Sequence, residues 1–335
     1  MSGLTLYAVE RWPTWFPGEN APAVDPIVLG GGPAHRRRSI VFLLPRGASR
    51  PRVVLKVAFT LEEAGFLEHE FQALSRIRAE LPPHLRTSIP HPLGFDRVGS
   101  TVVFASRALR GRRLLVPNVA ERGSIASVRL LRGFLRGAFA WSRELARATR
   151  RDSDADEGAL EEQVDRFVSL SSPPAQVGAR VRSFARAVGR ARIRWNPVWQ
   201  HRDVAVGNTL KHRGTYRFLD WEHASAESQP WFDVAYAPGS LTLLAHRQSG
   251  SSSVRDAALG CLPTVRWPGQ VLRQEMDRTW SHPLPIQWAV ALVAMSTALR
   301  RHHGGRKGWT DWGEIALCLL ADDGFRRMNW LAPEW

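Results

Sequence analysis

Cysteine is nearly absent: the 335 residues contain two, Cys261 and Cys318. Two thiols build neither a disulfide framework nor a cysteine-ligated metal site, which points to a reducing, cytoplasmic setting. Long apolar runs are also missing. The longest, IQWAVALVAMSTAL from Ile286 to Leu299, is too short to span a bilayer and predicts a buried helix. The N-terminal MSGLTLYAVERW lacks a charged segment followed by an apolar core, the pattern of a secretion signal. Zinc-finger spacings, RNA-binding motifs and basic heptads are absent, so no specific nucleic-acid motif stands behind the net charge of +15. No internal repeat or low-complexity tract is present, and nothing in the pattern specifies an oligomeric state.

The charge itself is uneven. From Glu222 onward 11 Lys plus Arg face 11 Asp plus Glu, so the excess lies earlier and is nearly all arginine. Such a surface reads first as a solvated basic face, then as one meeting an anionic surface, a membrane periphery or an anionic substrate, and last as one meeting nucleic acid. The length fits two lobes, and 14 tryptophans imply a substantial core or a lined cleft.

Prolines at 13, 17, 22 and 26 make residues 1–27 an irregular leader. LGGGPAHRRRSIVFLLPRGASRPRVVLKVAF then reads as a glycine-rich turn, a strand over Ser39–Leu44 and a second strand over Val53–Phe59. Leu67, Phe71, Leu74 and Ile77 give the apolar stripe of a helix over Leu61–Glu80, ended by Pro82 and Pro83. Beyond residue 108 the chain turns helical, with helices expected over Val128–Thr149 and Val177–Arg194 and from Ser281 on. RDSDADEGALEEQVD, residues 151–165, reads as an acidic surface loop leading into a further helix.

Several polar residues do not fit packing alone. Lys56 lies mid-strand in VVLKVAF, where an unpaired ammonium is costly to bury. On the following helix Glu63 and Glu70 both fall near the apolar stripe, so either could pair with it. In HRDVAVGN, Asp203 and Asn208 flank a short turn, and Asp220 follows a strand-like run in RFLDWE. A carboxylate and a carboxamide are hard oxygen ligands suited to magnesium shared with phosphates.

The order is glycine-rich turn, strand lysine, helix glutamate, H-x-D-x-x-x-x-N, then an aspartate after a strand. It resembles the protein-kinase signature set, and in detail the aminoglycoside phosphotransferase and choline kinase branch of the kinase-like superfamily. LDWEHA at 219–224 stands where a protein kinase has Asp-Phe-Gly, PWFDVAYA at 230–237 adds Asp233, and no Ala-Pro-Glu motif follows. The resemblance covers roughly residues 28–237. It departs from the branch at Arg202, where the branch more often has glycine.

The resemblance implies an α+β, bilobal protein-kinase-like fold. Residues 1–108 would form a small antiparallel-sheet nucleotide-binding lobe, and 109–335 a larger, mainly helical catalytic and acceptor-binding lobe. It implies ATP and Mg2+ as cofactors and transfer of the γ-phosphoryl group to a hydroxyl. Asp203 would be the catalytic base. Asn208 and Asp220 would hold magnesium, with Glu222 a candidate for a second metal. Lys56 would contact the phosphates, steadied by Glu70 or, failing that, Glu63, and backbone amides of Gly30, Gly31 and Gly32 would approach them. His201 and Asp233 would support the loop, and adenine would lie near Val54 and residues 105–109. The acceptor would be a small molecule: a sugar, an amino alcohol, an aminoglycoside-like compound or a glycan precursor. Tryptophans at 195, 199, 221, 231, 267, 280 and 288 would serve mainly the core, with a sugar-stacking platform as a second use. An inert kinase-like binding scaffold and a protein kinase are the alternatives. The filled polar positions argue against the first, and Asp-Trp-Glu without Ala-Pro-Glu against the second.

Overall fold

The computed structural model describes residues 2–30, 38–114, 125–152, 158–190, 196–249, 253–254, 269–278, 286–303 and 309–321. Gly31, Gly32, Trp195, Cys261, Trp267, Trp280 and residues 153–157 of the acidic stretch lie outside the described residues. In chain order the elements are α1 (Ser2–Trp15), β1 (Val24–Gly30), β2 (Arg38–Pro45), β3 (Val53–Ala58), α2 (Leu61–Glu80), α3 (Pro83–Arg86), β4 (His91–Val98), β5 (Thr101–Arg107) and β6 (Arg112–Arg113). They continue with α4 (Ile125–Ala148), α5 (Gly158–Ser171), α6 (Ala175–Arg190), β7 (Val198–Gln200), β8 (Thr209–His212), β9 (Thr215–Phe218), β10 (Ser225–Ser228), α7 (Phe232–Ser249), α8 (Gly269–Asp277), α9 (Ile286–His303) and α10 (Trp309–Ala321).

Two compact units result. The first takes Met1–Arg113 and Asn208–Ser225, the second Leu114–Gly207 and Ala226–Trp335. This division differs from a single boundary at 108/109 because β6 pairs with β8, Arg112 opposite Lys211 and Arg113 opposite Leu210. The β8–β9 hairpin is thereby drawn into the first unit.

The first unit is built on a five-stranded antiparallel sheet in the order β1-β2-β3-β5-β4. Strand alternation gives the sheet two faces. On one, Val53, Leu55 and Val57 join Val41, Leu43, Val103 and Ala105 in a closed core with Tyr7, Ala8, Trp12, Trp15 and Phe16. On the other, Lys56 lies opposite Ile40 and Phe104. Helix α2 covers this second face: Phe71 stacks on Phe95 at 5.7 Å and meets Phe104 edge-on at 6.0 Å.

The reading of residues 1–27 as an irregular leader is therefore corrected. Ala8, Trp12 and Trp15 recur at i, i+4 and i+7, and α1 lays that stripe on the sheet. Pro13 removes a backbone donor and crowds the carbonyl one turn earlier, at a cost of about 3 kcal/mol. Burying three aromatic side chains at about 1.5–3 kcal/mol or more each outweighs that loss. Arg52 adds a cation over the Phe16 ring at 4.1 Å, and the Tyr7 hydroxyl donates to Asp96 at 2.7 Å. Pro26 is tolerated because β1 is an edge strand.

The second unit is helical apart from the short β7–β10 pair. Helix α9 carries the Ile286–Leu299 run and is buried on most sides, packed on α10 and α7. Helices α5 and α6 pack on each other, as do α4 and α8. Trp312 of α10 lies against Gly239 of α7, where a Cβ would sit 2.3 Å from the Trp312 ring. Among the described residues no helix is long and apolar enough to cross a membrane.

Candidate functional site

The charged cluster of the first unit starts from strand and helix periodicity. Lys56 points away from the closed core, toward α2. Glu70 lies three residues past Leu67 and four before Leu74, on the buried side of that helix. Lys56 Nζ donates to both Glu70 carboxylate oxygens, at 2.8 and 2.6 Å, and to Asp220 Oδ1 at 2.8 Å. Glu63 is engaged elsewhere. Its amide donates to Thr60 Oγ1 at 3.3 Å, capping α2, and its carboxylate lies 3.6 Å from Arg38 Nε. The T-x-x-E pattern of a capping box was the sequence signal that separates the two glutamates.

The β8–β9 hairpin positions Asp220. Arg213 and Gly214, at φ 47° and 83°, form its two-residue turn. Leu219 N–H donates to the Asn208 carbonyl at 2.8 Å, so Asn208 and Asp220 flank the same end of the hairpin. Asp220 itself has φ 67°, a left-handed conformation that aspartate tolerates better than most residues. The next amide, Trp221 N–H, donates to Glu70 Oε1 at 3.1 Å. Glu70 thus ties strand β3, helix α2 and the 220–222 loop together.

Arg38 is the residue that sequence reasoning missed. It pairs with Glu222 and, less closely, with Glu63. It hides in a run of three arginines, yet it stands two residues before Ile40, the cross-strand partner of Lys56, and so shares the Lys56 face.

Burial opposes the charge on both cations, but the carboxylates outweigh it. Asp220 and Glu70 hold the Lys56 amine protonated well beyond the ordinary lysine range. Glu222, then Asp220, then Glu63 do the same for Arg38. Burial raises the Glu70 carboxyl, and the Lys56 ammonium pulls it back. Among the described residues, no group of three or more His, Cys, Asp or Glu could hold a metal ion.

The second unit carries the other half of the H-x-D-x-x-x-x-N stretch. His201 and Arg202 donate their amides to Asp233, at 2.8 and 2.7 Å, and Gln200 Oε1 accepts the Asp233 amide at 2.9 Å. The Asp203 amide donates to His201 Nδ1 at 3.2 Å. Burial raises the Asp233 carboxyl, opposed by His201 and the two amides. Arg202 has φ 64°, which gives a physical reason for glycine at that position. Its side chain bonds Ser296 at 3.1 Å and lies over Phe232 at 4.7 Å. Burial, and then Arg300, lower its guanidinium to about 9, which leaves it charged at neutral pH. Asp203 Oδ1 accepts a hydrogen bond from the Tyr236 hydroxyl, a contact the sequence did not suggest because Tyr236 sits in an apolar VAYA run.

Of the remaining expected residues, Gly30 ends β1 opposite Ser39, and Val54 shares the Lys56 face. Trp199, Trp221 and Trp231 are buried, and Trp288 is half-buried.

The tyrosines give one prediction. Burial, then Asp96, lifts the Tyr7 phenol far above its ordinary 10.0; burial, then Asp203, does so for Tyr236. Tyr216, the third, is raised by burial alone. Between the ordinary and the raised values the folded state keeps protons that the unfolded chain has released, so stability falls as pH rises past about 10. In an alkaline titration only Tyr216 should ionise while circular dichroism is unchanged. The Tyr7 and Tyr236 tyrosinate absorbance should appear together with unfolding. A full three-tyrosine transition in folded protein would contradict the burial described.

A scan of protein-family models and a search of curated proteins gave no match to the chain. Solved structures do match. A macrolide 2'-phosphotransferase from Brachybacterium faecium, crystallised as apoenzyme, is similar over 94% of this chain and 97% of its own, with TM-score 0.52 and 14% identity. A choline/ethanolamine kinase family protein from Mesorhizobium loti covers 95% of this chain and 96% of its own, with TM-score 0.49 and 15% identity. An aminoglycoside phosphotransferase from Streptomyces rimosus, in complex with ADP and streptomycin, covers 88% and 99%, with TM-score 0.47 and 14% identity. At these identities the likeness is one of fold: the chain has an α+β, protein-kinase-like fold.

Proposed function

We propose that this chain is an ATP- and magnesium-dependent phosphotransferase that moves the γ-phosphoryl group to a hydroxyl of a small molecule. The observation that carries the reading is the largely buried ammonium of Lys56, its side chain 13% exposed, held between Glu70 and Asp220. A fold alone does not require such a group, because replacing a buried ion pair with apolar residues is often neutral or stabilising. The phosphotransferase named among the similar structures is in keeping with it.

The residues fit the cofactor. Glu63, Glu70, Asp220 and Glu222 surround two cations, Lys56 and Arg38. With all four carboxylates ionised, an excess of two negative charges remains, the complement of one divalent ion. Asn208 and Asp220 are hard oxygen donors at one hairpin end, and magnesium is commonly held by one or two carboxylates plus phosphate oxygens. When bound, magnesium neutralises charge on the transferring phosphate oxygens.

The chain's own residues then have separate tasks. Lys56 holds the α and β phosphates, and Glu70 keeps it from swinging away. Backbone amides of Gly30, Gly31 and Gly32 approach the phosphates without side chains in between. Asp203 orients the acceptor hydroxyl and takes its proton as the new phosphorus–oxygen bond forms and the bond from the γ-phosphorus to the bridging oxygen of ADP breaks. Asp233 and His201 fix the loop that carries Asp203. Adenine lies near Val54 and residues 105–109. The acceptor is a sugar, an amino alcohol, an aminoglycoside-like compound or a glycan precursor.

The test needs no acceptor. ATP at about 100 times its dissociation constant adds roughly 2.7 kcal/mol of stability. The melting shift should require magnesium in the wild type and vanish in Asp220→Ala. An Asp220→Ala protein that binds Mg·ATP as the wild type does would remove the metal assignment. No shift with any nucleotide in the wild type would favour the inert scaffold.

A further inference from the structure

Asp233 and Tyr236 lie one turn apart on α7, and together they address three consecutive residues of the H-R-D segment. Asp233 takes the amides of His201 and Arg202, and the Tyr236 hydroxyl donates to Asp203 Oδ1. Tyr236 is not a boundary residue that happens to reach a carboxylate. It is 2% exposed, and its ring packs on the 1%-exposed Trp312 at 4.9 Å between centroids, tilted by 30°.

Trp312 is in turn seated over Gly239, three residues past Tyr236 on the same face of α7. A Cβ there would stand 2.3 and 2.7 Å from two Trp312 ring atoms. Only a residue without a side chain leaves that space. The missing side chain leaves room for the indole against α7, and the indole backs the Tyr236 ring. Glycine, tryptophan, tyrosine and aspartate therefore form one packed column ending at Asp203. Close-packed interiors transmit such contacts, because no member can shift without opening a void.

We propose that Tyr236 is a positioning residue for Asp203, held against its carboxylate by Trp312 over Gly239. This rests on the reading of Asp203 as the base that receives the acceptor's proton. The proton passes from the acceptor hydroxyl to the Asp203 carboxylate, while Tyr236 keeps its own and serves only as donor. The groups that act on the Tyr236 phenol are consistent with that. Burial and Asp203 favour its protonated form, while Arg301 and Arg300 oppose them.

The experiment uses Mg·ATP with water as the acceptor, so that slow hydrolysis reports on Asp203 without a known substrate. Tyr236→Phe keeps the ring and its packing. It is expected to lower kcat by about tenfold with KM for ATP unchanged, because small misplacements of a reacting group carry large rate effects. Tyr236→Phe should have no further effect in an Asp203→Asn background, whereas a merely structural role would cost both backgrounds equally. The chain has three tyrosines, so ring-labelled carbon NMR can follow Tyr236 directly, and its resonance should move in Asp203→Asn. Trp312→Phe, which thins the backing, should give a smaller loss with the same dependence on Asp203, and replaces Tyr236→Phe if that variant does not fold. Unchanged kcat in these variants, with hydrolysis still lost in Asp203→Asn, overturns the positioning role and leaves the phosphotransferase reading standing. Hydrolysis that Asp203→Asn leaves untouched overturns both.

Discussion

Replacing Lys56 with methionine is expected to destabilise the protein by about 3–5 kcal/mol, the cost of stranding buried charge without its partner. Glu70 is 1% exposed and receives two hydrogen bonds from that ammonium. Methionine fills similar volume, so the loss is electrostatic rather than a cavity. The Trp221 amide is a neutral donor and does not replace a cation. An exposed pair is the natural control. Arg182 and Asp165 meet at 2.9 Å but are 48% and 67% exposed, and such pairs are worth about 0–1 kcal/mol. Denaturant melts of Lys56→Met and Arg182→Ala should therefore separate widely. Equal midpoints would show that the Lys56 cluster does not hold the first unit together.

Asp203→Asn should reduce phosphoryl transfer by about 10²–10⁴-fold, the usual contribution of a positioned general base. Asparagine keeps the shape of the side chain and an oxygen that can accept from Tyr236, so the change removes the proton acceptor rather than the packing. Binding of Mg·ATP, followed by the melting shift, should survive, because the cluster of Lys56, Glu70 and Asp220 belongs to the other compact unit. Retained turnover with retained nucleotide binding would reassign the base. Loss of both would place Asp203 in nucleotide binding instead.

What could be read from the sequence follows the range of the interactions concerned. Helix α2 was legible to its ends, because its apolar stripe and Pro82–Pro83 stop are both local. Lys56 stood out as a lysine inside an apolar strand, one of three lysines among 46 basic residues. Helix α1 was hidden by proline spacing, since the sheet face that stabilises it is assembled from β2, β3 and β5, which come later in the chain. The separation of Glu70 from Glu63 depends on Arg38, on a distant strand, claiming the Glu63 carboxylate. Tyr236 was illegible because its reason for being there lies in Asp203 and Trp312, 33 and more residues away.

The return of Asn208–Ser225 to the first unit bears on how the molecule is made. A ribosome delivers Lys56 and Glu70 early, but Asp220 and the Trp221 amide emerge only after the roughly 90 residues of the intervening helical segment. At about 5–20 residues per second that is a delay on the order of ten seconds. Throughout it, Arg38 lacks Glu222 and Glu70 lacks Trp221, so the nascent sheet holds its ammonium with one carboxylate instead of two. The first unit is thus the earlier to begin folding and cannot finish alone. A stalled or truncated chain ending before residue 208 would leave Arg38 without Glu222 and Glu70 without the Trp221 amide, unmade contacts of the kind that chaperones and proteases act on.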